Sequence, residues 1–138
     1  MENTLQDIRQ TIVFNAPIQK VWNAVATSEG IAAWFMPNDF QPVEGLEFKV
    51  DAGPFGMAPC KVLEVASPNR LSFQWTEDWT ITFELTDLGG QTEFTLIHAG
   101  WDINKVTAFG MPHTMVRDNM NGGWAQMLQT KLREYVEA

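Results

Sequence analysis

Proton transfer near neutral pH would fall to His98 or His113, the two histidines of this sequence, and thiolate chemistry to Cys60, its one cysteine. His98 shares strand parity with Phe94 and Leu96, so its imidazole is expected on the apolar side of its element. Its simpler reading is a hydrogen-bonded core residue; the sharper one is a polar anchor or acid–base group inside a cavity. His113 follows Pro112 at the start of a helical pattern, where a wet loop position is expected, or else a place at a cavity entrance. Cys60 and Glu64 share parity around Val62, but Leu63 and Val65 are equally apolar, so the sequence leaves open which set faces in. Cys60 reads as a small packing residue, with no base near it in sequence. One cysteine and two distant histidines supply no zinc-type ligand set, and no metal or cofactor is expected. No nucleophile elbow, phosphate-cradling glycine loop or H-E-x-x-H pattern occurs.

Aromatic residues are the second feature, with six tryptophans and nine phenylalanines. Phe48, Phe73, Trp75, Trp79, Phe83, Phe94, Leu96, His98 and Trp101 fall on inward or rim positions of expected strands, and Met120, Trp124 and Leu128 on the apolar face of a late helix. As a set they could line a site for a flat apolar molecule. Residue by residue, each could equally be dense aromatic core.

The elements that must position these residues follow from periodicity. Ile8, Gln10, Ile12 and Phe14 alternate with Arg9, Thr11 and Val13, which predicts a first strand over 7–14. Pro17 suits a first helical turn, and Ile18, Val21, Trp22 and Val25 continue an amphipathic helix ending near Ser28-Glu29-Gly30. Ser28 is expected to cap a second short helix that carries Ile31, Trp34 and Phe35 inward, with Pro37 and Asn38 closing it. The period changes to two at Leu46, Phe48 and Val50, and strands over 61–66, 71–76, 79–86 and 92–99 follow with turns short enough to make neighbours antiparallel. Leu71, Phe73, Trp75, Trp79, Ile81, Phe83 and Leu85 mark the apolar face, and Thr80, Thr82, Glu84 and Thr86 the wet one. After an irregular stretch from Trp101, a long helix places Val116, Met120, Trp124, Met127, Leu128, Leu132 and Tyr135 on one face to cover the sheet. Gly122 and Gly123 in this helix are expected to mark a close approach or a bend.

The whole is an α+β arrangement over 1–138, read as one domain from its length. A formal charge of −8, from seventeen acidic against nine basic residues and without a Lys/Arg run, argues against nucleic acid as a partner. Apolar stretches are too short for membrane insertion, and the first ten residues lack the apolar block of a secretion signal, so a cytoplasmic location is expected. The expected state is a monomer or weak homodimer.

Five segments carry a resemblance: Ala16-Pro17-Ile18-Gln19-Lys20-Val21-Trp22; Ile31-Ala32-Ala33-Trp34-Phe35; Arg70-Leu71-Ser72-Phe73-Gln74-Trp75; His98-Ala99-Gly100-Trp101; and Gly123-Trp124 with Leu128, Leu132 and Tyr135. In this order they resemble the family named after the activator of Hsp90 ATPase homologue 1, within the helix-grip superfamily of pollen-allergen-like and lipid-transfer domains. The resemblance implies a curved antiparallel sheet of about six strands, two short helices and a long C-terminal helix over a hydrophobic cavity. Ser67-Pro68-Asn69 departs from the Pro-Pro-rich turn usual in relatives, and 102–113 is longer than in many, which bears on the cavity entrance. The superfamily implies binding of a lipid, polyketide or flavonoid-like aromatic, sometimes with cyclase chemistry. Relatives that stimulate the chaperone use a separate N-terminal domain for much of that contact, so chaperone activation is not expected of 138 residues. The reading is non-catalytic binding of a small apolar molecule, with a cyclase-type enzyme or a protein-interaction module as alternatives.

Overall fold

A computed structural model describes residues 6–51, 53, 56–102, 104–106 and 110–137. Residues 1–5, which belong to the stretch read as lacking a secretion signal, and part of the 102–113 segment lie outside the described residues. The chain runs β1 (Ile8–Phe14), α1 (Ile18–Val25), α2 (Ser28–Trp34), β2 (Glu47–Asp51), β3 (Met57–Ala66), β4 (Arg70–Trp75), β5 (Trp79–Asp87), β6 (Thr92–Ala99) and α3 (His113–Met127), which continues through a π-helical turn (Leu128–Leu132) into α4 (Arg133–Glu137). The strands form one antiparallel sheet in the order β1-β6-β5-β4-β3-β2. Alternation and helical spacing anticipate these elements, and their assembly is the α+β helix-grip architecture that the resemblance implies. Among the described residues no helix is long and apolar enough to cross a membrane.

β3 starts at Met57, four residues before the expected Lys61. Pro59 hides this start from sequence reading, because a strand proline lacks a ladder donor. Here it sits opposite Lys49, whose N–H and carbonyl both turn away to Asp39, so pairing with β2 needs no N–H from Pro59. The register shifts between Val62 and Glu64, a β-bulge that reverses side-chain parity along the strand. Cys60 and Val62 are therefore buried, while Leu63 is exposed and Glu64 reaches outward to the Arg70 guanidinium at 3.0 Å. The bulge settles the question that alternation leaves open.

Both short helices are where the pattern puts them, but α1 ends at Val25 and the cap of α2 is Thr27 rather than Ser28. Thr27 Oγ1 accepts the Gly30 N–H at 3.0 Å, and Ser28 Oγ instead donates to the Asn38 carbonyl. Gly30 is required by contact: a Cβ there would lie 2.5 Å from the Asn23 carbonyl oxygen and 2.6 Å from that of Ala24, where α2 crosses α1.

The long helix departs from expectation in two places. Tyr135 is exposed and Val136 is buried in its stead. Trp124, Leu128, Leu132 and Val136 recur every four residues. An α-helix turns about 3.6 residues per turn, so strict spacing of four would carry the buried face around the axis. The wider π turn takes up that drift and keeps all four in the core. Gly122 and Gly123, in contrast, show no close approach, since a Cβ at either meets nothing within 4 Å.

With space at both positions and helical backbone on either side, the intrinsic helix preference decides. Gly122→Ala and Gly123→Ala are each expected to stabilise the chain by roughly 0.5–1 kcal/mol in urea unfolding. A loss of stability in either variant would show that the glycine serves a contact after all.

Candidate functional site

β4, β5 and β6 turn Phe73, Trp75, Trp79, Phe83, Phe94, Leu96 and His98 to one face, as period two dictates, and all are buried. Phe48 from β2, Trp101 just after β6, and Trp124 and Leu128 from the helical side are buried too, whereas Met120 is half-buried against the same core. The structure thus brings the whole expected set to the interval between sheet and helix. Phe48, Phe73, Phe83 and Phe94 form a line with centroids 5.4–6.0 Å apart. Trp75, Trp79, Trp101 and Trp124 surround His98 at centroid distances of 4.5–6.0 Å.

Trp34, the last residue of α2, and Phe35, its C-cap, join that set. Phe35 stacks on Trp124 at 5.2 Å and meets Trp75 edge-on at 5.5 Å, while Trp34 meets Phe83 at 5.9 Å and Trp124 at 6.3 Å. Rings therefore meet across the interval where the resemblance implies a cavity. Their inward spacing in α2 was legible; that they close the space between sheet and α3 was not, because helix placement is a tertiary property.

His98 is the polar centre of this cluster. Trp124 Nε1–H donates to His98 Nδ1 at 3.0 Å, and Trp101 Nε1–H donates to the His98 carbonyl at 2.9 Å. Since Nδ1 accepts, the proton of the neutral ring resides on Nε2. Burial, reinforced by the nearby His113, lowers the His98 pKa from its ordinary 6.5 to about 3. Among the described residues, His98 Nε2 has no hydrogen-bond partner, nor have Trp75 Nε1 and Trp79 Nε1.

A second constellation lies beside it. The sequence reading places His113 in a wet loop; it is instead fully buried, flanked by Trp79 and Trp101. Its Nδ1 accepts the Asp102 N–H at 3.2 Å, and its Nε2 faces Asp78 Oδ2 at 3.6 Å, longer than a hydrogen bond. Lys105 Nζ stands 3.7 Å from the other Asp78 oxygen. Asp78 belongs to the turn between β4 and β5, and Gly100 makes room for it: at φ +99°, a Cβ on Gly100 would collide with the Asp78 carbonyl oxygen. This clasp ties the start of α3 to the sheet. Asp78 was missed because nothing in a Glu-Asp turn signals a partner 35 positions along the chain.

Cys60 is a buried thiol whose pKa burial pushes up to about 12, which suits packing and not nucleophilic attack. Among the described residues no group of three or more His, Cys, Asp or Glu side chains could hold a metal ion. A groove of about 500 Å³ also exists, lined by Asp39, Glu47, Lys61, Gln74 and Glu77 among others. Residues on the outer side of β2–β4 make up most of its lining, Phe48 of the aromatic set and Cys60 border it as well, and it carries charges of both signs.

Sheet order, the grip of the long helix and the aromatic inner face together define a helix-grip domain. The chain belongs to the activator of Hsp90 ATPase homolog 1-like family, whose model matches residues 15–137. Protein BH1534 of Bacillus halodurans is 40% identical over 99% of this chain and 100% of its own, with a TM-score of 0.89. Protein MLL2253 of Mesorhizobium loti is 24% identical, covering 94% and 96% of the two chains, with a TM-score of 0.81. The Aha1 of Colwellia psychrerythraea, solved as a dimer, is 21% identical, covering 96% and 97%, with a TM-score of 0.76. At these lower identities the likeness is one of fold. Among curated proteins, none matches this sequence.

Two outcomes follow from the site. Folding favours the neutral His98 ring, so its contribution to stability is complete above the unfolded-chain value of 6.5 and is lost as pH falls from there toward about 3. Wild type is expected to lose about 2 kcal/mol more than His98→Gln between pH 7.5 and pH 5, at about 1.4 kcal/mol per unit below 6.5. Parallel pH profiles of the two proteins in urea unfolding would contradict the assignment. Trp124→Ala removes a buried ring together with the His98 bond, and should destabilise by about 3–5 kcal/mol; a melting temperature within a degree or two of wild type would refute that place in the core.

Proposed function

We propose that the chain binds a small, flat, apolar molecule between the inner face of the sheet and α3, without performing chemistry on it. The observation that carries this reading is the arrangement of α3. His113 and Trp124 are its buried residues, and the segment 114–123 between them is half-buried or exposed. Val116 and Met120 rest partly on the core there, and polar bonds at the sheet edge, Gln10 to Asn121 and Arg117 to the Gln6 carbonyl, add to the hold. A helix pinned firmly at two points and weakly between them can open locally over a wall of aromatic rings at small cost. The helix-grip superfamily, in which lipids, polyketides and flavonoid-like aromatics are held in this interval, supports the same reading.

His98 favours binding over cyclase-type catalysis. With Nδ1 engaged by Trp124 and a pKa near 3, it stays neutral across the physiological range and neither gives nor takes a proton readily. It can still act as a fixed N–H donor. A cytoplasmic location and a monomer or weak homodimer remain part of the proposal; the dimeric Aha1 of Colwellia psychrerythraea leaves both states open for this fold.

Flavone tests the reading. About 17 non-hydrogen atoms at roughly 0.3 kcal/mol each give near 5 kcal/mol, a dissociation constant on the order of 100 μM. Tryptophan emission should change on titration to that concentration, and amide shifts should map to the inner face and α3. Met120→Trp, which fills the half-buried approach, should weaken binding at least about tenfold while altering stability by less than about 1 kcal/mol. Unchanged emission, or shifts confined to the outer groove, would remove the ligand-binding reading in favour of a protein-interaction module.

A further inference from the structure

The groove on the outer side of β2–β4 carries a charge pattern that the aromatic face does not use. Strand register lays it out in two rows, Lys49, Pro59 and Thr76 in one and Glu47, Lys61 and Gln74 in the other. The compact Pro59 ring stands among longer side chains, and the hollow of about 500 Å³ is within the size range of small-molecule sites. At its far wall Thr76 takes a left-handed backbone with φ at 59°, which is strained for a β-branched residue. Its N–H holds the Pro59 carbonyl at 2.8 Å and its hydroxyl accepts the Asp78 N–H at 3.2 Å, so the turn is pinned where Glu77 joins the lining. Among the described residues, the exposed side chains of Glu47, Lys49, Lys61 and Glu77 make no ion pair or hydrogen bond, although Glu47 and Lys61 are direct cross-strand neighbours. Opposite charges placed in this way ordinarily pair. Here two of each sign border one hollow unpaired.

We propose that this groove binds a small zwitterion of the dipeptide class, its carboxylate on Lys49 and Lys61 and its ammonium on Glu77. An anion alone would meet the carboxylates of Asp39, Glu47 and Glu77, and a cation alone would meet both lysines. A molecule carrying both charges complements both sets. Spacing decides its size. Neighbouring strands lie about 4.8 Å apart, so Lys61 on β3 is one such step, and Lys49 on β2 two steps, from the β4 side of the groove where Glu77 stands. The charged ends of a single amino acid are too close together to span this, whereas an extended dipeptide reaches about 7 Å. Gln74 is half-buried between the lysines and Glu77 and has no side-chain partner among the described residues, which leaves its amide for the central peptide group. The site does not depend on the reading of the inner face.

The test titrates the full chain with L-alanyl-L-alanine at about pH 6.5, where both ends of the dipeptide are charged, and follows backbone amides by ¹H–¹⁵N NMR. Its C-terminal amide, which lacks the carboxylate, and its N-acetyl form, which lacks the ammonium, serve as comparisons. The dipeptide is expected to bind with a dissociation constant on the order of 1 mM and to move the amides of Lys49, Lys61, Gln74, Thr76 and Glu77. Each singly charged form should bind about threefold to fivefold more weakly, the size of one exposed ion pair. Lys61→Gln should lower dipeptide affinity toward that of the amide form without weakening the amide form itself, and Glu77→Gln should do the same with respect to the N-acetyl form. Both side chains are exposed, so these substitutions leave the fold in place. Equal affinity for the three compounds, or full dipeptide affinity in both variants, would overturn the site. So would amides of this set that stay unmoved at tens of millimolar. Shifts confined to the inner face would overturn it as well, and would leave the flavone test of that face unaffected.

Discussion

The hydrogen bond from Trp124 Nε1–H to His98 Nδ1 joins the long helix to the sheet through the driest part of the molecule. In such surroundings a satisfied bond is strengthened and an unsatisfied group is penalised, so this contact constrains its neighbours more than its length suggests. It fixes the tautomer of His98 and turns Nε2–H toward the remaining rings, while burial holds the ring neutral. Trp101 closes the other side by bonding the His98 carbonyl. Four indoles are arranged around one imidazole as a result, and the acid–base chemistry of that imidazole is replaced by the ability to donate.

Several irregularities of the chain serve this arrangement. The bulge in β3 lets Val62 stay inward while Glu64 joins Arg70 and Glu84 outside, where their charges are hydrated. The π turn in the long helix keeps Trp124, Leu128, Leu132 and Val136 on one line, so that Trp124 arrives over His98 with the rest of the helix seated. Gly100 admits the Asp78 carbonyl, which places the Asp78 carboxylate before His113 and anchors the first residue of α3. Between that anchor and Trp124 the helix is held loosely, and it is there that the proposed function locates entry.

Legibility in the sequence followed the range of the interaction. Alternation and helical spacing are local, and they identified the strands, the helices, the inward parity of His98 and every aromatic residue of the inner face. The start of β3 was hidden by Pro59, whose tolerance depends on Asp39 engaging Lys49 from another segment. The parity of Glu64 required the bulge, and the burial of Val136 in place of Tyr135 required the π turn; a single inserted residue per turn leaves no compositional mark. His113 and Asp78 could not be paired because 35 residues separate them and neither sits in a motif. The bonded state of each indole, from which the chemistry of the site is argued, is likewise a fact of three-dimensional placement. Five short aromatic segments in order were sufficient for the family, since each marks a contact that the fold needs.

The central claim is that His98 is a neutral ring with Nδ1 accepting and Nε2 donating. Long-range ¹H–¹⁵N NMR of the imidazole, followed from pH 8 to pH 4.5, reads that state directly. The account predicts one acceptor-type nitrogen at Nδ1 and one protonated nitrogen at Nε2, both unmoved over the whole range while the fold persists. Convergence of the two signals to a common imidazolium position above pH 5, or the opposite tautomer at any pH, would contradict it.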